Sequence, residues 1–244
     1  MDLLKLDDYQ SWLLRSGDHR LLIDPWLTPK LRFPLGTFER ERKLPVSDAG
    51  VPTGLLITAP FGDHLDAPTL APFDRALPVF TNAPAARRLR GLGFTNITTV
   101  RAGDTHTFGA LTVRFIAPGF PYSHNSLGFL LEENARRAYF ETHVIGAKTL
   151  AQLPKPLDAL ISTMESVRLF GIQLSMDAVR AAKAAAALQA RVFVPTGIDP
   201  GRSTGLLPKL LSVKSDRQAF DAALEESAPG TQCRWLEPGE ALTL

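Results

Sequence analysis

The sequence predicts an α/β (α+β) fold in which two β-sheets pack face to face with helices outside, a four-layer αββα sandwich. Three observations point to it. Both halves of the chain combine β-favouring runs with helical stretches. The middle third carries short strands separated by Gly-Asp, Gly-Ala, Pro-Gly and Glu-Asn turns, the spacing of an antiparallel meander. The last third then switches to helical periodicity.

In chain order, residues 11–15 and 20–24 flank Ser16-Gly17-Asp18-His19 and read as a hairpin. From residue 25 to 52 prolines and charges interrupt every period, which predicts a long loop, with a lid over 29–52. Residues 55–58 form an apolar strand that runs into Ala59-Pro60-Phe61-Gly62-Asp63-His64, where Pro and Gly end it. Residues 78–81 are another strand, and 83–92 a short helix exposing Arg87, Arg88 and Arg90. The meander is expected at 97–100, 105–108, 111–117, 126–131 and 137–142. A strand at 157–162 precedes an alanine-rich helix over 176–189 with Ser175 as N-cap, then a buried strand at 191–195. Ser215-Asp216-Arg217-Gln218 has the form of a capping box opening a helix with Phe220 and Leu224 on its core face. Short strands at 233–236 and 241–244 close the chain.

At 244 residues, 45% hydrophobic and 21% charged, the composition is that of a globular protein, read as one domain over residues 1–244. Twenty-seven Lys plus Arg against 25 Asp plus Glu leave a charge of +2, too little for a nucleic-acid field or a polybasic membrane anchor. No apolar run approaches the ~20 residues of a membrane span, and the opening residues lack the basic start of a signal peptide. The lone Cys233 allows no internal disulfide and no cysteine metal cluster, so a cytoplasmic protein with a small buried thiol is expected. There is no Gly-x-Ser-x-Gly elbow, no Gly-rich phosphate loop and no His-Glu-x-x-His helix. The stretch 201–205 reads as a polar loop or as an anion-binding turn ahead of a helix. Homo-oligomerisation stays open.

The hairpin ending Leu21-Leu22-Ile23-Asp24-Pro25-Trp26-Leu27, the step from Leu55 to Leu65, Gly103-Asp104, Pro121-Tyr122-Ser123-His124, Ala138-Tyr139-Phe140-Glu141-Thr142 and Val194-Pro195-Thr196-Gly197 together carry a resemblance. In order and spacing they resemble the metallo-β-lactamase-fold superfamily, within it the lactonase-like hydrolases related to L-ascorbate-6-phosphate lactonase. The resemblance covers nearly the whole chain. It implies the αββα fold with a site at one edge of the sandwich, and a Thr-His-x-His-x-Asp-His motif whose side chains hold two metal ions. Such a centre lowers the pKa of a bridging water enough to supply hydroxide near neutral pH.

Against that motif this chain reads Thr58-Ala59-Pro60-Phe61-Gly62-Asp63-His64, so both histidines of the first metal are replaced, by Ala59 and Phe61. His124 stands where the third ligand belongs, Glu141 matches the bridging Asp, and Gly197 takes the place of the last His. The expectation is that no metal cofactor is held; the alternative is one divalent ion, Zn, Mn or Fe, on Asp63, His64 and Glu141, with His124 or His143. His143 either follows Glu141 on the same strand face and supplies an imidazole, or lies beyond the strand as an exposed loop residue. Asp63 and His64 either ligate metal or merely bond to each other in the loop. Asp24 is expected to support the motif loop, and His19 and His106 to be surface residues.

Two functions follow, and a purely structural or oligomerising subunit stays open as a third. One is a non-catalytic or weakly catalytic protein binding a small ligand, anionic or amphipathic, in a cleft floored by Ala59, Phe61 and Gly197. The other is a metal-dependent hydrolase of an ester, lactone or phosphoester, with Asp63 and His64 catalytic. Neither calls for nucleic acid or membrane as a partner.

Overall fold

Strand Trp12–Ser16 sends Trp12 and Leu14 into one apolar cluster and Leu13 into another, and its neighbours repeat the alternation. In the computed structural model, which describes residues 1–33, 35–39, 50–198 and 202–244, this period of two builds a layered sandwich. One sheet has the order Ala241–Thr243, Asp2–Lys5, Trp12–Ser16, His19–Ile23, Gly54–Ile57, Val79–Thr81, Ile97–Thr99. The other runs Gln232–Cys233, Val192–Pro195, Ala159–Ser162, Arg136–Glu141, Gly128–Glu133, Leu111–Ile116, Thr105–Phe108. Between them lie Trp12, Leu14 and Leu56 from the first sheet and Phe115, Phe129 and Phe140 from the second.

The outer faces are covered by helices. Leu13, Leu22 and Ile57 pack with Ala85 and Leu89 of helix Ala83–Gly91. On the far side, Tyr139, Leu160 and Phe193 pack with Ala185 of helix Ala178–Leu188 and Phe220 of helix Arg217–Ser227. Central strands are therefore apolar on both faces, and each sheet holds parallel pairs, such as Gly54–Ile57 on Val79–Thr81 and Arg136–Glu141 on Ala159–Ser162. The predicted four-layer αββα arrangement is the one observed.

Local readings change in several places. Strand Ile97–Thr99 pairs parallel with Val79–Thr81, because helix Ala83–Gly91 is the crossover between them. The meander therefore begins at Thr105. Asp177 rather than Ser175 caps helix Ala178–Leu188: Met176 N–H is tied to His143 O and to the Thr163 hydroxyl, which keeps the chain extended through residue 176. Asp216, not Ser215, caps helix Arg217–Ser227 by accepting from Ala219 N–H. Arg202–Gly205 is a strand, not an anion-binding turn, and the helix after it, Leu206–Leu210, has five residues; Gly201 is outside the described residues. The half-buried Cys233 has its thiol pKa pushed up to about 12 by burial, so it is no nucleophile at neutral pH.

Within the stretch read as loop, Lys30–Phe33 and Gly36–Glu39 pair antiparallel and are extended by Arg202–Gly205 into a small sheet. Residue 34 and residues 40–49, the rest of the expected lid, lie outside the described residues. A second small sheet, Ile172–Gln173, Ser166–Leu169, Leu211–Lys214, was not foreseen at all. Both small sheets stand over the candidate site.

Candidate ligand-binding site

The loop after strand Gly54–Ile57 is fixed from below by Asp24. This residue is buried, with φ +43, a conformation non-glycine residues rarely adopt, and its carboxylate accepts from Thr58 N–H at 2.7 Å and from the Thr58 hydroxyl. The same carboxylate lies 2.8 Å from His64 Nδ1, which directs His64 Nε2 away from Asp24. At the far end of the loop Asp66 accepts from Thr69 N–H and from the Thr28 and Thr69 hydroxyls. The expected supporting role of Asp24 is thus seen directly.

Asp63 and His64 meet at the floor, with Asp63 Oδ2 3.6 Å from His64 Nε2. Tyr9 donates its hydroxyl to the same oxygen at 3.1 Å, and Gln10 Nε2 reaches it at 3.4 Å. Burial opposes a charge on His64, but Asp24, Asp63 and Glu141 outweigh it and raise the imidazole to about 9. His64 is therefore an imidazolium at neutral pH, set between two carboxylates.

Glu141 ends strand Arg136–Glu141 and is fully buried. Its Oε1 accepts from His143 N–H at 3.0 Å, and Oε2 from the Tyr139 hydroxyl at 3.2 Å. It sits behind the floor and does not line the cavity. His143 follows neither of its two expectations, since the strand stops at Glu141 yet the ring is buried. It stacks on His64 with ring centroids 4.8 Å apart, and Tyr122 leans on it at 4.0 Å. Burial, then Asp63 and Glu141, push the Tyr122 hydroxyl far above its ordinary pKa, so it stays protonated. His124 is exposed and lines no part of the cavity. His19 and His106 are half-buried rather than on the surface, with His106 packed between Phe80 and Phe115.

Of the replaced positions, Phe61 is a wall, edge-on to His64 and Tyr122 with centroids 6.0 Å away in each case. Ala59 is fully buried beneath the loop and does not reach the cavity, whereas Gly197 does. Gly197 has φ +64, and a Cβ there would lie 2.8 Å from Thr163 Cγ2. The cavity above has a volume of about 260 Å³. Leu31, Phe33 and Phe38 close it from one small sheet, and Val167, Leu169 and Val213 from the other. Sequence reasoning missed Tyr9, Gln10 and Trp26, and in Pro121-Tyr122-Ser123-His124 it singled out the histidine where the tyrosine is the lining residue.

Residues 19–198 match the beta-lactamase superfamily domain. The chain belongs to the beta-lactamase superfamily. Several solved structures superpose on the whole chain. They include the isothiocyanate hydrolase from Delia radicum gut bacteria, 15% identical with a TM-score of 0.77 over 100% of this chain and 99% of that one. A metallo hydrolase from the archaeon Ignicoccus hospitalis is 18% identical with a TM-score of 0.72, again over 100% and 99%. A possible metal-dependent hydrolase from Veillonella parvula is 16% identical with a TM-score of 0.71, over 100% and 99%. Compared with curated proteins, the sequence finds no match.

In this beta-lactamase superfamily member the donor set does not fit a two-metal centre. Ala59, Phe61 and Gly197 offer no donor atom, and among the described residues no three His, Cys, Asp or Glu side chains are placed to hold an ion. Asp63 and His64 are adjacent, Glu141 is turned to Tyr139 and His143, and His124 is elsewhere. No helix among the described residues is long and apolar enough to cross a membrane.

Proposed function

We propose that this metallo-β-lactamase-fold member, of the lactonase-like branch, is a non-catalytic or weakly catalytic binder of a small apolar or amphipathic ligand, its dinuclear zinc site dismantled. The observation that carries this reading is Phe61, an apolar ring forming a cavity wall at a position where the family motif has a histidine. Phenylalanine keeps the planar ring but has no lone pair and favours apolar company. The small sheets add Leu, Val and Phe side chains, giving a partly open, largely apolar volume with a few polar groups at the bottom, the usual build of a small-molecule site. Among the described residues no Lys or Arg lines it, which favours an amphipathic over an anionic ligand. The protein acts as one domain in the cytoplasm, with the hairpin around residues 30–39 as part of its lid and no nucleic-acid or membrane partner. An isothiocyanate, the substrate class of one structural relative, is small and apolar enough to be worth testing here.

The second reading, hydrolysis of an ester, lactone or phosphoester with one divalent ion, draws on the metallo-hydrolases that share the fold and on the adjacent Asp63 and His64. One screen separates the two: wild type and His64→Ala against ester, lactone, phosphodiester and isothiocyanate substrates with added Zn²⁺, Mn²⁺ or Fe²⁺. The binding reading expects no metal-stimulated turnover from either protein. Metal-dependent turnover by wild type that vanishes in His64→Ala would replace it with the hydrolase.

A further inference from the structure

Charge and ring placement at the cavity floor narrow the ligand further. Asp24 Oδ2 lies 2.8 Å from His64 Nδ1, Asp63 Oδ2 3.6 Å from His64 Nε2, and Glu141 Oε1 3.4 Å from His143 Nδ1. Three carboxylates thus stand against two imidazoles, so they outnumber the rings even with both charged, and neutral rings would only enlarge the excess. No Lys or Arg among the described lining residues offsets it, and unpaired charge in a low-dielectric pocket is costly. Of the three carboxylates Asp63 is the one that lines the cavity, and its described side-chain contacts all fall on Oδ2.

Aromatic rings flank that carboxylate on two sides. Tyr9 donates its hydroxyl to Asp63 and meets Trp26 edge-on, centroids 5.7 Å apart at 81°. Phe61, two residues before Asp63, meets Tyr122 edge-on at 6.0 Å and 72°. All four rings line the cavity. Ring faces attract organic cations through their quadrupoles, most strongly once water is excluded, and a carboxylate among aromatic rings is the arrangement that holds ammonium groups.

On the reading that the cavity is a ligand site, we infer that its ligand is an organic monocation, an ammonium group with an apolar body, seated with the head on Asp63 between the Tyr9–Trp26 and Phe61–Tyr122 pairs. The apolar body then lies along Leu169 and Val213 of the small sheet above. A metal ion would satisfy the same charge, but the described donors do not assemble around one.

Three probes with one eight-carbon tail test this: octyltrimethylammonium, 1-octanol and octanoate, followed by calorimetry and by quenching of tryptophan fluorescence. The cation should bind at least about tenfold more tightly than the alcohol, and octanoate most weakly. Asp63→Asn should bring the cation down to the affinity of octanol and leave octanol unchanged. Phe61→Leu, which keeps the wall apolar, should cost the cation several-fold and octanol little. Octanol binding as tightly as the cation would overturn the charge inference while leaving ligand binding in place. No binding of any probe would end both. One equivalent of Zn²⁺ displacing the ammonium would assign the negative charge to a metal ion and overturn the inference.

Discussion

His64 and His143 stack with ring centroids 4.8 Å apart and planes 17° from parallel, one from the loop after Gly54–Ile57 and the other from the turn after Arg136–Glu141. The pair spans the junction of the two large sheets. Each member is braced from behind, His64 by the Asp24 carboxylate at Nδ1 and His143 by Glu141 at its backbone N–H. Both rings are thereby packed into the floor of the cavity.

That bracing makes stability depend on pH. His64 is raised from 6.5 to about 9 in the folded protein, where burial, opposing the charge, is outweighed by Asp24, Asp63 and Glu141. Its contribution is therefore full below pH 6.5 and is lost as pH rises through about 9. The thermal midpoint should fall by several degrees across that window, and the slope should vanish in His64→Gln. Asp24→Asn should move the His64 proton resonance titration downward. A flat wild-type profile would mean that His64 is not charged in the fold.

Restoring a histidine at residue 197 should fail. The backbone there is left-handed and the space for a Cβ is taken by Thr163 Cγ2 at 2.8 Å. Gly197→His is expected to cost about 2 to 4 kcal/mol in urea unfolding, from backbone strain plus overpacking. A variant as stable as wild type, with new zinc affinity, would show that the loop can yield.

Gly128 is another close approach, of a different origin. A Cβ at this position would lie 2.6 Å from both Glu141 Oε2 and the Tyr139 hydroxyl oxygen. Gly128→Ala should thus displace the Tyr139–Glu141 bond and destabilise by about 1 to 3 kcal/mol, read by the same unfolding curves. An unchanged midpoint would mean that Glu141 is not packed against this strand.

Metal content offers a direct check. Protein purified without chelator should carry zinc, iron and manganese well below one equivalent, and chelation should leave its melting temperature unchanged. Two stoichiometric equivalents, or two anomalous peaks about 3.5 to 4 Å apart, would restore the two-metal centre.

The layered fold was legible because Trp12, Leu13 and Leu14, or Ala138, Tyr139 and Phe140, are apolar without interruption, the mark of strands buried on both faces. Asp63, His64 and Phe61 were legible because a strand feeds straight into their loop, where the order of residues resembles the family's Thr-His-x-His-x-Asp-His motif. The upper half of the cavity was not. Its strands, four residues or fewer, are too short to show a period, and their partners are distant: Arg202–Gly205 pairs with Gly36–Glu39, and Leu211–Lys214 with Ser166–Leu169. Tyr9 was invisible for a similar reason, since its link to Asp63 spans 54 positions along the chain.

Those two small sheets share one stretch of backbone. Strand Arg202–Gly205 completes the first, Leu211–Lys214 completes the second, and only helix Leu206–Leu210 separates them. Its first turn is pinned to Leu35 O by the N–H groups of Leu206 and Leu207, while Gly205 and Gly36 approach too closely for any side chain between them. The opposite walls of the cavity are therefore tied to each other through one short stretch of backbone. A guest that pushes either small sheet outward therefore strains both, so the grip of Leu206–Leu210 limits how bulky its body can be while contacts at the floor set how firmly its head is held.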